Sequence, residues 1–417
     1  MHFWNEKKID MTQLQLTSYR DILRNKNFLT FWSGFTLSSL GDSLTRVALT
    51  WYVFEETKSA QALGILAIAY TAPILIGGFI AGPLIDRFSA RKVMIWDNLI
   101  RGFAFFIIPV LHMLDLLEVT HIYIFAAIYG SLMMISLAGG PTLIPSIVKE
   151  EQLETANAME TLIYTLSGVI GLPLAGFLVE WIGIANVVVI DAISYIVFAL
   201  ALARISVTEA GHHSAEKQTT SFSVMDAARL MVVNKVILST TLMFMAANIG
   251  LGVMTVYLPL VSDQIAPDSS SMYGTLLGFM ALGQVISSSL AGTLVTRTTL
   301  GLRIAFAQVL SGLSIAFLLV GSSFWAAGAG LFLLGFFSAP LTIWAQTLRM
   351  QVIPTELRGR TFALLRTLMQ GATPIGGALG GFLFPLAGLP MMIAISLLVI
   401  GLPGLAGLQV RELREAG

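Results

Sequence analysis

The chain has 417 residues, 56% hydrophobic and 12% charged, with a formal net charge of zero. Soluble globular proteins carry roughly 25% charged residues, so this chain has too few to coat a water-facing surface, and its mean hydropathy of +0.81 points to lipid as solvent. Zero net charge offers nucleic acid no overall field, and the absence of cysteine excludes disulfides, thiolate metal ligands and cysteine nucleophiles.

Residues 1–27 are polar and carry Lys7, Lys8, Arg20, Arg24 and Lys26 without the short apolar core and cleavage site of a secretory signal. The first span is therefore expected to stay in the protein. About 30 Å of hydrocarbon at ~1.5 Å per residue requires an apolar run of about 20 residues. Runs of that kind fall at 28–54, 62–84, 93–114, 121–145, 156–179 and 186–203, then, after a polar stretch, at 236–261, 272–295, 303–321, 324–348, 361–387 and 389–408. The expectation is an all-α membrane protein with twelve transmembrane helices in two six-helix bundles. Residues 1–27 form a cytoplasmic N-terminal segment, 28–203 the first bundle, 204–235 a cytoplasmic linker, 236–408 the second bundle and 409–417 a cytoplasmic tail.

Charge placement supports the count. With the N-terminus in the cytoplasm, the inner segments hold 20 of the 24 Lys and Arg, the outer loops hold Lys58, and Arg46, Arg101 and Arg366 lie within spans. That asymmetry fits the positive-inside rule and places both termini in the cytoplasm of a bacterial inner membrane. The halves also repeat. The segment Ala81-Gly82-Pro83-Leu84-Ile85-Asp86-Arg87 recurs 210 residues later as Ala291-Gly292-Thr293-Leu294-Val295-Thr296-Arg297. Leu174-Ala175-Gly176-Phe177-Leu178 recurs 205 residues later as Leu379-Gly380-Gly381-Phe382-Leu383. Parallel repeats around a midplane site are one plan of secondary transporters. Gly77-Gly78, Gly168 with Gly171, Gly176 and the glycines of 371–381 read as surfaces for close helix packing.

The loop Gly82-Pro83-Leu84-Ile85-Asp86-Arg87-Phe88-Ser89-Ala90-Arg91-Lys92 resembles the signature of the major facilitator superfamily, Gly-x-x-x-Asp-Arg-x-Gly-x-Arg-Arg/Lys, with Ser89 in place of the second glycine. Within that superfamily the chain is similar to the drug-efflux branch that holds macrolide exporters and the enterobactin exporter. The residues behind this are Ser39-Leu40-Gly41-Asp42, Met94 through Arg101, Pro141 through Pro145, Ala156-Asn157-Ala158, Ile190 through Ser194, and Glu356 through Arg360. The fourth span lacks the arginine that many proton-coupled members carry, and the glycine-proline pair of the antiporter motif reads Leu172-Pro173.

Charges within spans require a reason. Asp42 and Arg46 stand at i and i+4, so the expectation is an ion pair. It is either structural or a proton site in which Asp42 protonates when Arg46 is drawn away. Asp191 is expected near the outer interface, cavity-facing or capping, and Glu160 one turn inside its span within reach of cytoplasmic water. These four are the proton-coupling candidates. Asp97 and Arg101 are expected to join the basic loop as a gating network. The resemblance implies that Gly82, Asp86, Arg87, Arg91 and Lys92 form a conformational latch, in which Asp86 bonds the inner end of a second-half helix. Asn248, Gln284, Gln346, Met243 and Phe244 are the substrate-cavity candidates. His212 and His213 lie in the linker and are not expected to bind metal.

With no Walker loop for ATP and no nucleophile, metal cluster or acid pair at catalytic spacing, the chain reads as a transporter and not an enzyme. It is expected to need no cofactor or nucleic acid and to act as a monomer in lipid. The leading function is proton-coupled efflux of small amphipathic substrates, cationic or neutral, by alternating access. The alternatives are an exporter or flippase of a lipid or siderophore, and a non-transporting membrane receptor on the same scaffold.

Overall fold

The computed structural model describes residues 19–206, 224–291, 298–321, 323–354 and 357–417, and these are helices joined by short turns. The histidine-bearing part of the linker, the repeat segment containing Thr296, and Glu356 lie outside the described residues. In chain order the helices are α1 (Lys26–Thr57), α2 (Ala60–Phe88), α3 (Ala90–Met113), α4 (Val119–Leu143), α5 (Leu153–Leu166), α6 (Leu172–Ile182) and α7 (Ile184–Arg204). After the short α8 (Val224–Val233) come α9 (Lys235–Ile265), α10 (Ser270–Ala291), α11 (Leu300–Ser314), α12 (Phe324–Val352), α13 (Arg358–Gln409) and α14 (Arg411–Arg414). A π turn over Ser167–Gly171 fuses α5 and α6 into one rod.

Among the described residues, eight helical runs are long and apolar enough to cross a membrane. Three further rods, α1, α2 and α10, are 32, 29 and 22 residues long. α13 bends at Gly388, whose φ of 70° breaks its 52 residues into two arms. The all-α expectation therefore holds.

Local chemistry sets the turns. Asn25 caps α1 by accepting from the backbone N–H groups of Asn27 and Phe28. Lys58 ends it in the left-handed region, and Ser59 caps α2. One residue, Ser89, both ends α2 and begins α3, with φ 72° and ψ 143°. This is the signature position where the family pattern has glycine, and it is a backbone region that side chains disfavour.

The two halves meet most closely at the end of the bundle away from the termini. There α2 lies along α13: a Cβ placed on Gly64 would stand 2.7 Å from Gly381 Cα, and one on Gly377 2.6 Å from Ala67 Cβ. α6 lies along α10 in the same way, with a Cβ on Gly176 falling 2.9 Å from Gly274 Cα. Gly77, Gly171, Gly176 and the glycines of 376–381 are thus packing surfaces, whereas a Cβ on Gly168 would meet nothing within 4 Å. Ser270 Oγ donates to the Gly176 carbonyl at 2.9 Å, and Ser269 Oγ and the Ser271 N–H donate to Glu180 Oε2 at 3.1 and 3.2 Å. Lys58 Nζ reaches Asp268 Oδ1 at 2.7 Å and Asp263 Oδ1 at 3.3 Å, and Trp51 stacks on Tyr273.

The apolar core follows the same division. One cluster runs through both halves at this end, from Leu44, Trp51 and Tyr70 to Tyr257, Tyr273 and Leu331. Toward the termini it separates into a first-half cluster around Phe28, Phe31 and Met94 and second-half clusters around Ile304 and Leu348 and around Ile237 and Leu365. The molecule is closed at one end and divided at the other.

Candidate functional site

α1 and α7 touch through Gly41. A Cβ there would run into Asp191 Oδ1 and lie 2.6 Å from Ser194 Oγ. Glycine at this point lets the two helices close, and it brings Asp42 onto the seam between α1, α3 and α7.

At that seam Arg101, 2% exposed, is held from several sides. Its Nε donates to Asp97 Oδ1 at 3.0 Å, and Nη2 bonds both Asp97 Oδ2 and Ser136 Oγ, the latter at 2.5 Å. Ser136 in turn donates to Asp97 Oδ2 at 2.9 Å. Arg101 Nη1 lies 3.7 Å from Asp42 Oδ1, the oxygen that also accepts the Tyr195 hydroxyl. The guanidinium sits over the Tyr195 ring, 4.7 Å from its centroid. Asp191 is fully buried, with Oδ1 accepting from Ser194 Oγ at 3.1 Å. The Thr45 hydroxyl approaches this carboxylate; Thr45 Oγ1 and Asp191 Oδ2 are both buried without a hydrogen bond of standard geometry. Buried charges persist when paired and hydrogen-bonded, and Asp97–Arg101 satisfies that rule most fully.

Several expectations are corrected here. Asp42 does not pair with Arg46. Its partner is Arg101, on another helix, while Arg46 is exposed and lines a cavity. Asp97 and Arg101 do not join the basic loop; at 1% and 2% exposed they form the centre of the buried network. Asp191 is neither a cap nor cavity-facing, since α7 turns it into the same seam. Glu160, 7% exposed, packs beside Gly140 of α4, away from this network, instead of reaching open water.

The signature loop splits. Arg91 bonds the Leu202 and Ala203 carbonyls at the end of α7, a contact within its own half. Arg87 lies over the Phe88 ring at 5.1 Å. Gly82, Asp86 and Lys92 are exposed, and among the described residues Asp86 makes no contact with a second-half helix.

Between this network and the closed end lies a cavity of about 370 Å³, walled by both halves. Its apolar surface includes Leu63, Leu66, Leu251, Met133, Met254 and Met280, and its polar surface includes Arg46, Thr50, Tyr70, Tyr129, Asn248 and Tyr273. Of the cavity candidates, Asn248 is present and the other four are not. Met243 is core, 2% exposed, with its carbonyl accepting from Gln308. Phe244 lies under Arg349, 4.8 Å from guanidinium to ring centroid. Gln284 and Gln346 are exposed but outside this wall.

Tyr195, Ser136, Tyr70 and Tyr129 were not legible as site residues, although Tyr195 follows Asp191 by one helical turn. Arg349 was also missed. It falls at a predicted span edge yet is 3% exposed, with Nε 3.3 Å from Thr240 Oγ1 and, among the described residues, no hydrogen-bond partner for Nη2.

Long apolar helices, a central cavity between two halves and charges buried within helices define a membrane transporter, and the chain belongs to the Major Facilitator Superfamily, whose model matches residues 31–377. Among its relatives is the multidrug efflux pump Tap of Mycolicibacterium fortuitum, 23% identical over 401 residues, covering 89% of this chain and 93% of that protein. Among solved structures it resembles the nucleoside transporter NupG, with a TM-score of 0.73 at 13% identity, covering 94% of this chain and 100% of that one. It also resembles a bacterial homologue of the iron transporter ferroportin in an inward-facing state, with a TM-score of 0.69 at 17% identity, over 93% and 98% of the two chains. At these identities the structures speak to fold alone.

Proposed function

We propose that the chain is a proton-coupled exporter of small amphipathic molecules, working by alternating access in the bacterial inner membrane with both termini in the cytoplasm. In this orientation the closed end faces outward and the divided end inward, so the structure represents the inward-facing member of the cycle. The multidrug efflux relatives favour export of small amphipathic molecules, and the cavity's wall of leucine, methionine and tyrosine suits such substrates.

The observation that carries the coupling is the position of Asp42. Its carboxylate is 23% exposed, shared between Arg101 and Tyr195, and one helical turn from Arg46 in the cavity wall. The seam holds three carboxylates, Asp42 and Asp97 paired with Arg101 and Asp191 bonded by Ser194, against that single guanidinium. Charge at bilayer depth is costly, at ~2.5–3.5 kcal/mol per residue on insertion scales, so a surplus carboxylate there is a natural proton carrier. Loading and unloading that proton changes how strongly Arg101 is held between α1 and α3, and this biases one arrangement of the halves over the other.

Proteoliposomes with an imposed pH gradient test the reading. Efflux of a dye substrate should follow the gradient and be lost in Asp42→Asn, with substrate binding retained. Transport indifferent to the gradient, or full coupling in the variant, refutes it. Movement of labelled lipid that depends on the headgroup would select the flippase alternative.

A further inference from the structure

We infer that the central cavity selects amphipathic molecules with an anionic or strongly hydrogen-bond-accepting head group, anchored on Arg46. The inference rests on reading that cavity as the substrate site, and it departs from the cationic or neutral substrates expected from sequence. Among the described lining residues Arg46 alone carries a charge, so the wall as a whole is positive. The nearby carboxylates are engaged elsewhere: Asp97 and Asp42 face Arg101, and Asp191 faces Ser194. Among the described residues Arg46 forms no ion pair with a carboxylate; Asp42, one turn away, acts on it only through space while bonded to Arg101 and Tyr195, and the Arg46 side chain is exposed in the cavity wall.

The surrounding polar groups point the same way. Tyr70 contributes its ring to the cavity wall, while its hydroxyl is buried behind that wall. Asn248 faces it from the second half. A guanidinium offers five N–H groups in a planar fork that fits carboxylate or phosphate oxygens in pairs. An ammonium head in the same place would meet Arg46 with no compensating carboxylate on the wall. The aromatic body of such a ligand finds a matching surface in Tyr70 and Tyr129, whose rings meet edge to face at 5.6 Å, and in Tyr273.

The test uses the full chain in lipid nanodiscs and three probes that share one aromatic body: naphthoate, naphthamide and naphthylmethylammonium. In equilibrium binding, naphthoate should bind about tenfold or more tightly than the ammonium, the scale of one charge-assisted contact. Arg46→Gln should abolish that preference, and Arg46→Lys should keep part of it. An ammonium that binds as well as naphthoate, or a preference that survives Arg46→Gln, overturns the inference while leaving the cavity as a substrate site. Failure of all three probes to bind, or binding unchanged when Thr255→Trp fills the cavity, overturns the cavity assignment itself and the charge preference with it.

Discussion

Asp42 of α1 and Arg101 of α3 meet 3.7 Å apart, bridging two helices that both pack on α7, and Tyr195 of α7 bonds the same Asp42 oxygen. Three helices of the first half are therefore fastened at one carboxylate. Removing a fastening should have consequences that separate structure from coupling.

Asp97→Asn takes the strongest partner from a guanidinium that is 2% exposed. Breaking one side of a buried pair costs about 3–5 kcal/mol, so the variant should melt at markedly lower temperature. Asp97→Asn combined with Arg101→Met should lose less than the sum of the two single variants, because both members of the pair leave together and only Asp42 is left without its guanidinium. Thermal unfolding of the detergent-purified variants measures both, and additive losses would contradict the pairing.

Ser89→Gly should stabilise the protein. Serine at φ 72° and ψ 143° occupies a region that costs a side-chain-bearing residue about 1–3 kcal/mol. Glycine relieves this at an entropic cost of roughly 0.5–1 kcal/mol, leaving a gain of about 1 kcal/mol in a melting experiment. A lowered melting temperature would show that the Ser89 hydroxyl matters more than the turn it occupies.

Lys58 bridges the halves at the closed end. Partial burial works against its charge, but the bonds to Asp268 and Asp263 prevail and hold the ammonium above the usual lysine range. The raised value fixes the sign. The bridge contributes fully below the unfolded lysine pKa and is lost as pH rises through the higher folded one. Spin labels placed across this end should report the same short distance from pH 6 to 9 and a longer one at strongly alkaline pH. Lys58→Glu should give the longer distance throughout. No change in that variant would mean the glycine seams alone keep this end shut.

Arg349→Met should be neutral or stabilising. Arg349 is 3% exposed, and among the described residues it has a threonine and an aromatic ring as partners but no carboxylate. Replacing a buried charge by an apolar side chain of similar length removes its desolvation cost, often a gain of ~1 kcal/mol or more. A loss above ~2 kcal/mol, read from the melting curve, would reveal a counter-charge that matters.

The helices were legible because hydropathy and small-residue runs are local properties of the chain. The signature loop likewise pointed to the family whose model the chain matches. What the sequence concealed was which side chains meet between helices. The i, i+4 spacing of Asp42 and Arg46 suggested a pair, yet four residues of α-helix turn the second by roughly 40° and raise it by ~6 Å. That offset is enough for α1 to show Asp42 to α3 and α7 and Arg46 to the cavity. Asp97 and Arg101 have the same spacing and do pair, because Ser136 and Tyr195 close around them. Local spacing permits a contact, and the surrounding helices decide it. Met243 and Phe244 failed as cavity residues for a related reason: a helix apolar all round gives no sign of which face meets a partner.

The rod made of α5 and α6 has two obligations. Gly171 must sit against Ser43, where a Cβ would come within 2.7 Å of Ser43 Cβ, and Gly176 must sit against Gly274 in the opposite half. The widened turn over Ser167–Gly171 adds winding between the N-terminal portion of the rod and the stretch that meets the opposite half. Deleting one residue there would tighten the turn but rotate one portion against the other by about 100°. Neither portion could then keep its seat without unseating its companion. The irregular turn thus acts as a phase adjuster, letting one continuous rod serve its own bundle along one stretch and the facing bundle along the next.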